Sequence, residues 1–177
     1  MAKKEILIPF VQYFEGGFVN DPADRGGATM KGVTLTTYRA VFGQRKTVND
    51  LRSISDEDWA LVFDKLFWKR WSADSIQTQA IANLLVDWTW NSGLYGIKIP
   101  QRVLGVKVDG LVGQKTIAAI NGYSDQQELF NRLWQERKAF YERIARGAQA
   151  KFLKGWLNRL NGIRWDQLKY GRKSITW

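Results

Sequence analysis

The chain has 177 residues, of which 45% are hydrophobic and 25% are charged, as in a soluble globular protein of one domain or of two lobes. It contains no cysteine and no histidine, which excludes disulfides, thiolate metal sites and the usual nucleophile–base pairs, so we expect no metal and no cofactor. The formal net charge of +10 predicts a polyanionic partner, either nucleic acid or an acidic bacterial wall.

The first predicted element is an amphipathic helix over residues 4–15. Its apolar residues recur at helical spacing and end in Glu15. Pro9 suits only the first turn of a helix, so the helix either begins near Ile8 or kinks there. Two lysines before a short apolar run resemble a signal peptide, but no small-residue cleavage site follows and cleavage would remove Glu15. The run is too short to span a membrane, and we interpret it as the first helix of the fold.

Glu15 closes this apolar stripe and is followed by a turn-rich segment. Burial beside an apolar face disfavours the charged form of a carboxyl group, which is the environment that a general acid needs near neutral pH. The pair Gly16-Gly17 predicts a left-handed helix end that turns the chain back over the carboxyl group. Residues 18–33 carry turn signals, and they are predicted to form a loop or a short irregular hairpin.

Helical patterns account for most of the remaining chain. The pattern over 79–92 is apolar on nearly all sides, so it is expected to be the buried central helix, ended by Gly93. Ser55 begins a helix that is predicted to run to about Trp71. Residues 44–54 are expected to be a polar connection, and the basic tail 169–177 is expected to be loosely held. The other predicted helices cover 34–42, 97–104, 113–120, 124–146 and 154–168.

The segment 15–34, Glu-Gly-Gly-Phe-Val-Asn-Asp-Pro-Ala-Asp-Arg-Gly-Gly-Ala-Thr-Met-Lys-Gly-Val-Thr, closely resembles the opening motif of the glycoside hydrolase 108 N-acetylmuramidases. These are lysozyme-like proteins of phages, prophages and bacteria. The second half resembles a predicted peptidoglycan-binding region, through Asp87, Asn91-Ser92-Gly93, Gln101, Leu104-Gly105-Val106, Asp109-Gly110, Gly113, Phe152, Gly155-Trp156 and Asn158-Arg159.

The resemblance covers about residues 5–168 and implies a mainly α, lysozyme-like fold of two lobes, with a short irregular loop or hairpin after the first helix. We expect residues 1–75 to form a catalytic lobe. Residues 76–177 are expected to form a helical lobe that resembles a peptidoglycan-binding domain. The two lobes are expected to pack as one globular unit.

The resemblance also implies hydrolysis of the β-1,4 bond between N-acetylmuramic acid and N-acetylglucosamine. The catalytic Glu of the family falls on Glu15, which is expected to protonate the leaving oxygen. Asp24 lies nine residues later, as in the similar layout of phage lysozymes, and is the candidate base or electrostatic stabiliser. Asp21 competes for this role, and the sequence does not decide between them. Thr29 would position the water, although all three residues could equally stabilise turns.

The spacing of the two carboxyl groups decides the stereochemical course of such a reaction. A separation of about 6.5–9.5 Å gives inversion and one of about 5–5.5 Å gives retention. The turn chemistry around Asp24 favours the wider gap, and therefore inversion.

Substrate contacts are expected from six side chains: Asp21, Trp68, Asp87, Trp90, Asn91 and Tyr95. The three aromatic side chains could pack in the core instead of stacking on sugar rings. The polar pair on the central helix, four residues apart, could belong to a capping network instead of lining a cleft.

The expected partners are peptidoglycan glycan strands and an anionic bacterial wall, which the positive charge would bind in a salt-sensitive way. We expect a monomer that is made in the cytoplasm and acts on the wall, in the periplasm, after release or export, in the manner of a bacteriolytic endolysin or prophage enzyme. One rival is a non-catalytic peptidoglycan-binding or secretion-associated protein on a lysozyme scaffold. The other is a nucleic-acid-binding protein, which we disfavour because the basic residues look scattered and carry no recognised signature.

Overall fold

The computed structural model of the protein describes residues 1–20 and 27–177. The helices in these ranges are α1 Lys4–Phe14, α2 Leu35–Phe42, α3 Val48–Arg52, α4 Asp56–Phe63, α5 Gln79–Ser92, α6 Tyr95–Val103, α7 Gln114–Asn121, α8 Gln126–Ile144 and α9 Leu153–Asn161. Two antiparallel hairpins accompany them, formed by β1 Thr29–Met30 with β2 Val33–Thr34 and by β3 Gln167–Tyr170 with β4 Lys173–Thr176. The predicted mainly α fold, with a short hairpin after the first helix, is confirmed.

Helix α1 begins at Lys4 and contains Pro9 in its second turn. A proline inside a helix costs about 3 kcal/mol, because it removes one hydrogen bond and crowds the preceding turn. Leu7, Phe10 and Val11 are fully buried, and each such side chain contributes about 1.5–3 kcal/mol on leaving water. The burial therefore outweighs the cost of the proline, and the alternative in which the helix begins near Ile8 is wrong.

The predicted central helix is confirmed as α5. All of its residues from Gln79 to Thr89 are buried, and Gly93 ends it with a positive φ of 56°. The helix packs within one hydrophobic cluster that also includes buried residues of α1, α4, α8 and α9. The division into lobes at residues 75 and 76 stays a prediction. No helix within residues 1–20 and 27–177 is both long and apolar enough to cross a membrane.

Two predicted segments of the first half differ in the structure. The connection 44–54 contains the short helix α3, which is capped by reciprocal hydrogen bonds between Thr47 and Asp50. The helix that Ser55 begins ends as an α-helix at Phe63 and continues as a π-helical turn and a 3-10 turn up to Trp71. The indoles of Trp68 and Trp71 are fixed there by hydrogen bonds to Asp74 and Thr89.

The C-terminal end also differs from the prediction. Helix α9 ends at Asn161, and the tail that was expected to be loosely held forms the hairpin β3–β4. Gly162 permits this arrangement, because a Cβ atom at that position would collide with the carbonyl oxygen of Lys169. Tyr170 is buried and its ring packs edge-on against Phe10 of α1, with 5.8 Å between the centroids. The hairpin therefore supports the helix that ends at Glu15.

Candidate active site

Glu15 leaves the end of α1 in an extended conformation, with φ −90° and ψ 137°. Neither Gly16 nor Gly17 has a positive φ, so the predicted left-handed helix end is wrong. After this extended exit the chain bends at Gly17 and then forms the bridge between Val19 and Thr29. The Glu15 side chain is 15% exposed. It lies on the wall of a groove of about 330 Å³ lined by Gln12, Glu15, Gly16, Gly17, Met30, Lys31 and Asp56. We call this the Glu15 groove.

Two donors from distant parts of the chain hold one oxygen of the Glu15 carboxyl group. Trp90 donates its indole N–H to Oε1 at 2.7 Å, and Arg159 donates Nη1–H to the same oxygen at 2.8 Å. No described residue forms a hydrogen bond to Oε2. The sequence predicted an apolar environment for this group, and the structure adds a buried cation to it. The carboxyl group is therefore fixed in orientation through Oε1.

The Trp90 indole is itself immobilised by aromatic rings. Its ring lies 5.2 Å from that of Trp59, 5.8 Å from that of Phe63 and 4.6 Å from that of Phe67, measured between centroids. Trp59 also donates its indole N–H to the carbonyl oxygen of Lys31 at 2.9 Å. The same aromatic cluster thus positions both the donor to Glu15 and the turn that covers it.

That turn joins β1 to β2 through Lys31 and Gly32. Met30 pairs with Val33, so the loop has two residues, and both have positive φ, 48° and 78°. This is the geometry of a type I′ turn, which matches the twist of a hairpin. Gly32 lies directly against the carboxyl group. A Cβ atom there would collide with Oε2 and would lie 2.6 Å from Cδ of Glu15 and 2.9 Å from Cζ2 of Trp90.

We expect Gly32→Ala to lower any activity that depends on Glu15 far more than it lowers the free energy of unfolding. The positive φ costs an alanine about 1–2 kcal/mol, and the new methyl group must also displace the Glu15 carboxyl group from its donors. Gly147→Ala is the matched control, because Gly147 has a similar φ of 55° and open space around its Cα. Turnover and urea unfolding of the two variants give the comparison, and an equal loss of activity in both would contradict the prediction.

Arg159 connects Glu15 to a buried ionic network. Its Nε and Nη2 groups bind Asp87 at 3.0 and 2.7 Å, and Asp87 also accepts a 2.6 Å hydrogen bond from Arg137. Arg137 donates to the hydroxyl of Tyr141, which donates to Asn91. The side chains of Asp87 and Arg137 are fully buried. Glu15 is thus the partly exposed end of a chain of polar contacts that crosses the core.

Charge pairing sets the ionisation of this network. Burial alone would raise the pKa of Asp87, but the positive charges of Arg159 and Arg137 hold that pKa below its ordinary value. Burial alone would lower the pKa of Arg159, but the negative charges of Asp87 and Glu15 raise it above its ordinary value. Asp87 and Arg159 are therefore both charged at neutral pH, and Arg159 presents a permanent cation to Glu15.

Comparison with known proteins bears directly on this arrangement. Residues 8–93 match the family described as glycosyl hydrolase 108, and residues 95–161 match the one described as Predicted Peptidoglycan domain. Residues 8–93 therefore form a glycosyl hydrolase 108 region. The solved structure of Brucella abortus SagA is similar, with a TM-score of 0.75 and 29% sequence identity over 88% of each chain. No curated protein matches.

The predicted membership of glycosyl hydrolase 108, with a peptidoglycan-binding region after the first motif, is confirmed. The protein is a glycosidase with a lysozyme-like fold, and peptidoglycan is its partner. The first family match contains Glu15 and Trp90, whereas Arg159 lies in the second. The two hydrogen bonds to the Glu15 carboxyl group therefore come from both matched regions.

The other residues predicted for the glycosyl hydrolase 108 site lie in different places. Asp21 and Asp24 fall outside the described residues. Thr29 lies in β1 and donates its hydroxyl to the carbonyl oxygen of Gly27 at 3.3 Å; its role with water stays a prediction. Trp68 is fully buried, so this structure offers no surface of Trp68 on which a sugar could stack.

Among the remaining predicted residues, Trp90 is the one that contacts Glu15. Asp87 is fully buried against two arginines, so its carboxyl group has no access to a glycan in this structure and acts through Arg159. Asn91 and Tyr95 share a second groove of about 370 Å³, with aromatic walls formed by Phe140, Tyr141 and Trp156. Tyr95 is 62% exposed there. Their contact with substrate stays a prediction.

Sequence reasoning missed the roles of Arg159, Arg137 and Gly32. Arg159 stood in the closing motif of the family resemblance, Asn158-Arg159, which was the available signal for it. Gly32 follows Lys31 in a two-residue turn, but only the fold shows that this turn covers Glu15. Arg137 lies on an apolar helix face, where a charged residue needs a buried partner, and this was the signal for an acidic group across the core.

Proposed function

We propose that the protein is an N-acetylmuramidase that cleaves the β-1,4 bond between N-acetylmuramic acid and N-acetylglucosamine, with Glu15 as the general acid. The observation that carries this proposal is the placement of Glu15. Its carboxyl group lines a groove, is shielded from most solvent contact, and has one oxygen held by Trp90 and Arg159. Glycosidic cleavage requires a proton on the leaving oxygen, and a carboxyl group fixed in this way can supply it.

The hydrogen-bond donors of Trp90 and Arg159 support catalysis because they are in place before negative charge develops on Glu15. Oε1 accepts both hydrogen bonds, so the transferable proton belongs on Oε2. As the proton leaves, negative charge develops on the carboxyl group, and the fixed donors from Trp90 and Arg159 are already aimed at it. Preorganised donors of this kind stabilise a developing charge without reorganisation during the reaction.

The second catalytic group is proposed from the sequence. Asp24 is the first candidate for the base or electrostatic stabiliser and Asp21 is its competitor, with Thr29 positioning the water. Asp56 also lines the Glu15 groove, but its carboxyl group is 74% exposed and is paired with Lys31 at 2.8 Å. Its exposure and this pairing favour a role for Asp56 in contacts with the substrate. Asp24 and Asp21 therefore remain the candidates for the base. We propose inversion, with a gap that holds one water.

The biological setting follows from the substrate and is part of the proposal. A peptidoglycan hydrolase acts on the wall, so we propose that the protein is a monomer that works in the periplasm after its release from the cytoplasm. A bacteriolytic role, as a prophage or endolysin enzyme, fits this setting. Fractionation of the producing cell before and during lysis tests the place of action.

The decisive experiment identifies the sugar at the newly formed ends. Purified sacculi are digested, the new reducing ends are converted to alcohols with borohydride, and the hydrolysed sugars are analysed. An N-acetylmuramidase produces muramitol, whereas a glucosaminidase produces glucosaminitol and would contradict the proposed bond. Binding to sacculi with no new reducing ends would support the non-catalytic scaffold instead.

A further inference from the structure

The positive charge of the protein is concentrated near its C-terminal end. Residues 143–177 contain nine Lys or Arg residues and one Asp, a formal charge of +8, whereas residues 1–142 contain eighteen basic and sixteen acidic residues, a formal charge of +2. The interpretation of the basic residues as scattered is therefore wrong. Eight of the nine cations are exposed, the exception being Arg159. None of the eight forms an ion pair with a described residue.

Four of these cations line a continuous surface trough. One part, of about 1050 Å³, is lined by Lys151 and Lys154, and a second part by Arg164 and Lys169. The two parts share Asn158 and Asn161, and so they join along the outer face of α9. We call this surface the basic trough and define it by six residues: Lys151, Lys154, Asn158, Asn161, Arg164 and Lys169.

The trough follows from the two faces of α9. Residues Lys154, Asn158 and Asn161 recur at helical spacing on the exposed face. The opposite face buries Leu160 and carries Arg159 to Glu15. The same short helix therefore holds the candidate acid on one side and presents Lys154 and two side-chain amides on the other.

The basic trough ends beside the candidate active site. Phe14, the residue before Glu15, lines its second part together with Arg164 and Lys169. The guanidinium of Arg159 lies 5.4 Å from the centroid of the Phe14 ring. A molecule attached to a sugar in the Glu15 groove would therefore be within reach of this surface.

We propose that the basic trough binds the stem peptides of peptidoglycan, while the glycan strand lies in the Glu15 groove. This inference rests on the proposed N-acetylmuramidase function. Stem peptides are attached to N-acetylmuramic acid and carry free carboxylates separated by amide groups. The trough offers the complementary pattern, with cations at both ends and the side-chain amides of Asn158 and Asn161 between them. A poly(glycerol phosphate) chain would match the cations but has no amide groups for the two asparagines.

The test compares two forms of the same substrate. Glycan strands are prepared with their stem peptides intact, and a portion is stripped of peptides with an amidase. The variant carries Lys151→Gln, Lys154→Gln, Arg164→Gln and Lys169→Gln. One exposed ion pair changes an equilibrium by about twofold, so the loss of four should raise KM on peptide-bearing strands by about 16-fold. The value of kcat and the kinetics on stripped strands should not change.

A matched control removes the same charge elsewhere. Lys3, Lys65, Arg102 and Lys115 are exposed cations, three Lys and one Arg, that form no ion pair with a described residue. Their replacement by Gln should leave KM on both substrates unchanged. If this control raises KM on peptide-bearing strands as much as the trough variant does, general attraction to the wall explains the effect and the trough proposal is wrong. An equal rise of KM on stripped strands in the trough variant also overturns it.

Calorimetry with an isolated stem peptide provides a readout that does not depend on catalysis. The wild-type protein should bind the peptide, the trough variant should lose most of this binding, and added salt should weaken it. Absence of binding to the wild-type protein would overturn the proposal. If the peptide binds but sacculi yield no muramitol, the N-acetylmuramidase function fails and the peptide site stands.

Discussion

Replacement of Glu15 by Gln is expected to lower the rate of reducing-end release from sacculi by about 10²–10⁴-fold, the usual contribution of a general acid. The amide has nearly the same size and can still accept from Trp90 and Arg159, which bind Oε1 at 2.7 and 2.8 Å. It cannot deliver a proton to the leaving oxygen. The loss should therefore appear in kcat, measured with saturating sacculi.

The control for this variant is Glu136→Gln, which changes an exposed carboxylate on α8 that lines no described groove. It should leave turnover within experimental error of the wild-type value. Circular dichroism and urea unfolding verify that both variants are folded. Undiminished release of reducing ends by folded Glu15→Gln protein would remove Glu15 from the role of acid.

Replacement of Asp87 by Asn is expected to cost about 3–5 kcal/mol of the free energy of unfolding, because it removes one partner of a buried ionic network. Asp87 is the carboxylate that both Arg137 and Arg159 contact, and the side chains of Asp87 and Arg137 have no exposed surface. The variant leaves a buried guanidinium of Arg137 without a negative partner. Urea unfolding at neutral pH measures the loss, with the exposed Asp166→Asn as control.

The pH dependence of stability provides a second readout for Asp87. Its pKa is lower in the folded protein than its ordinary value, which is about 3.9 in an unfolded chain. Its contribution is therefore present above the ordinary pKa and is lost as the pH falls through the lower folded value. The free energy of unfolding of Asp87→Asn should lack this part of the acid dependence. If its stability curve is parallel to that of the wild-type protein at acidic pH, the ionic network contributes nothing.

Local signals in the sequence predicted the local features of the fold. Ser55 and Gly93 were expected at a helix start and a helix end, and each has that place in the structure. The capping pair of Thr47 and Asp50 carried the same kind of signal for α3, but it was read as part of a connection. Glu15 could be found because a helix end and a glycine-rich turn lie together in one short motif.

The features that the sequence did not predict depend on contacts between distant residues. The apolar residues beyond Asn161 have a pattern that resembles the continuation of a helix. Helix α9 nevertheless ends at Asn161, because Leu168 and Tyr170 lie in strand β3 and bury their side chains in the core. Arg159 is 144 residues from Glu15, and no spacing rule connects positions so far apart. The family resemblance included Arg159 in a motif, but only the folded chain shows which carboxyl groups it contacts.

The hydrogen bond between Glu15 and Arg159 has a consequence for the biosynthesis of the enzyme. Residues 8–93 contain the whole match to glycosyl hydrolase 108, but a nascent polypeptide that has grown only this far lacks the guanidinium group that fixes its acid. That group lies in the second matched region and is translated later. Premature termination before α9, or proteolytic loss of α9, would therefore yield a product in which Glu15 lacks one of its two donors.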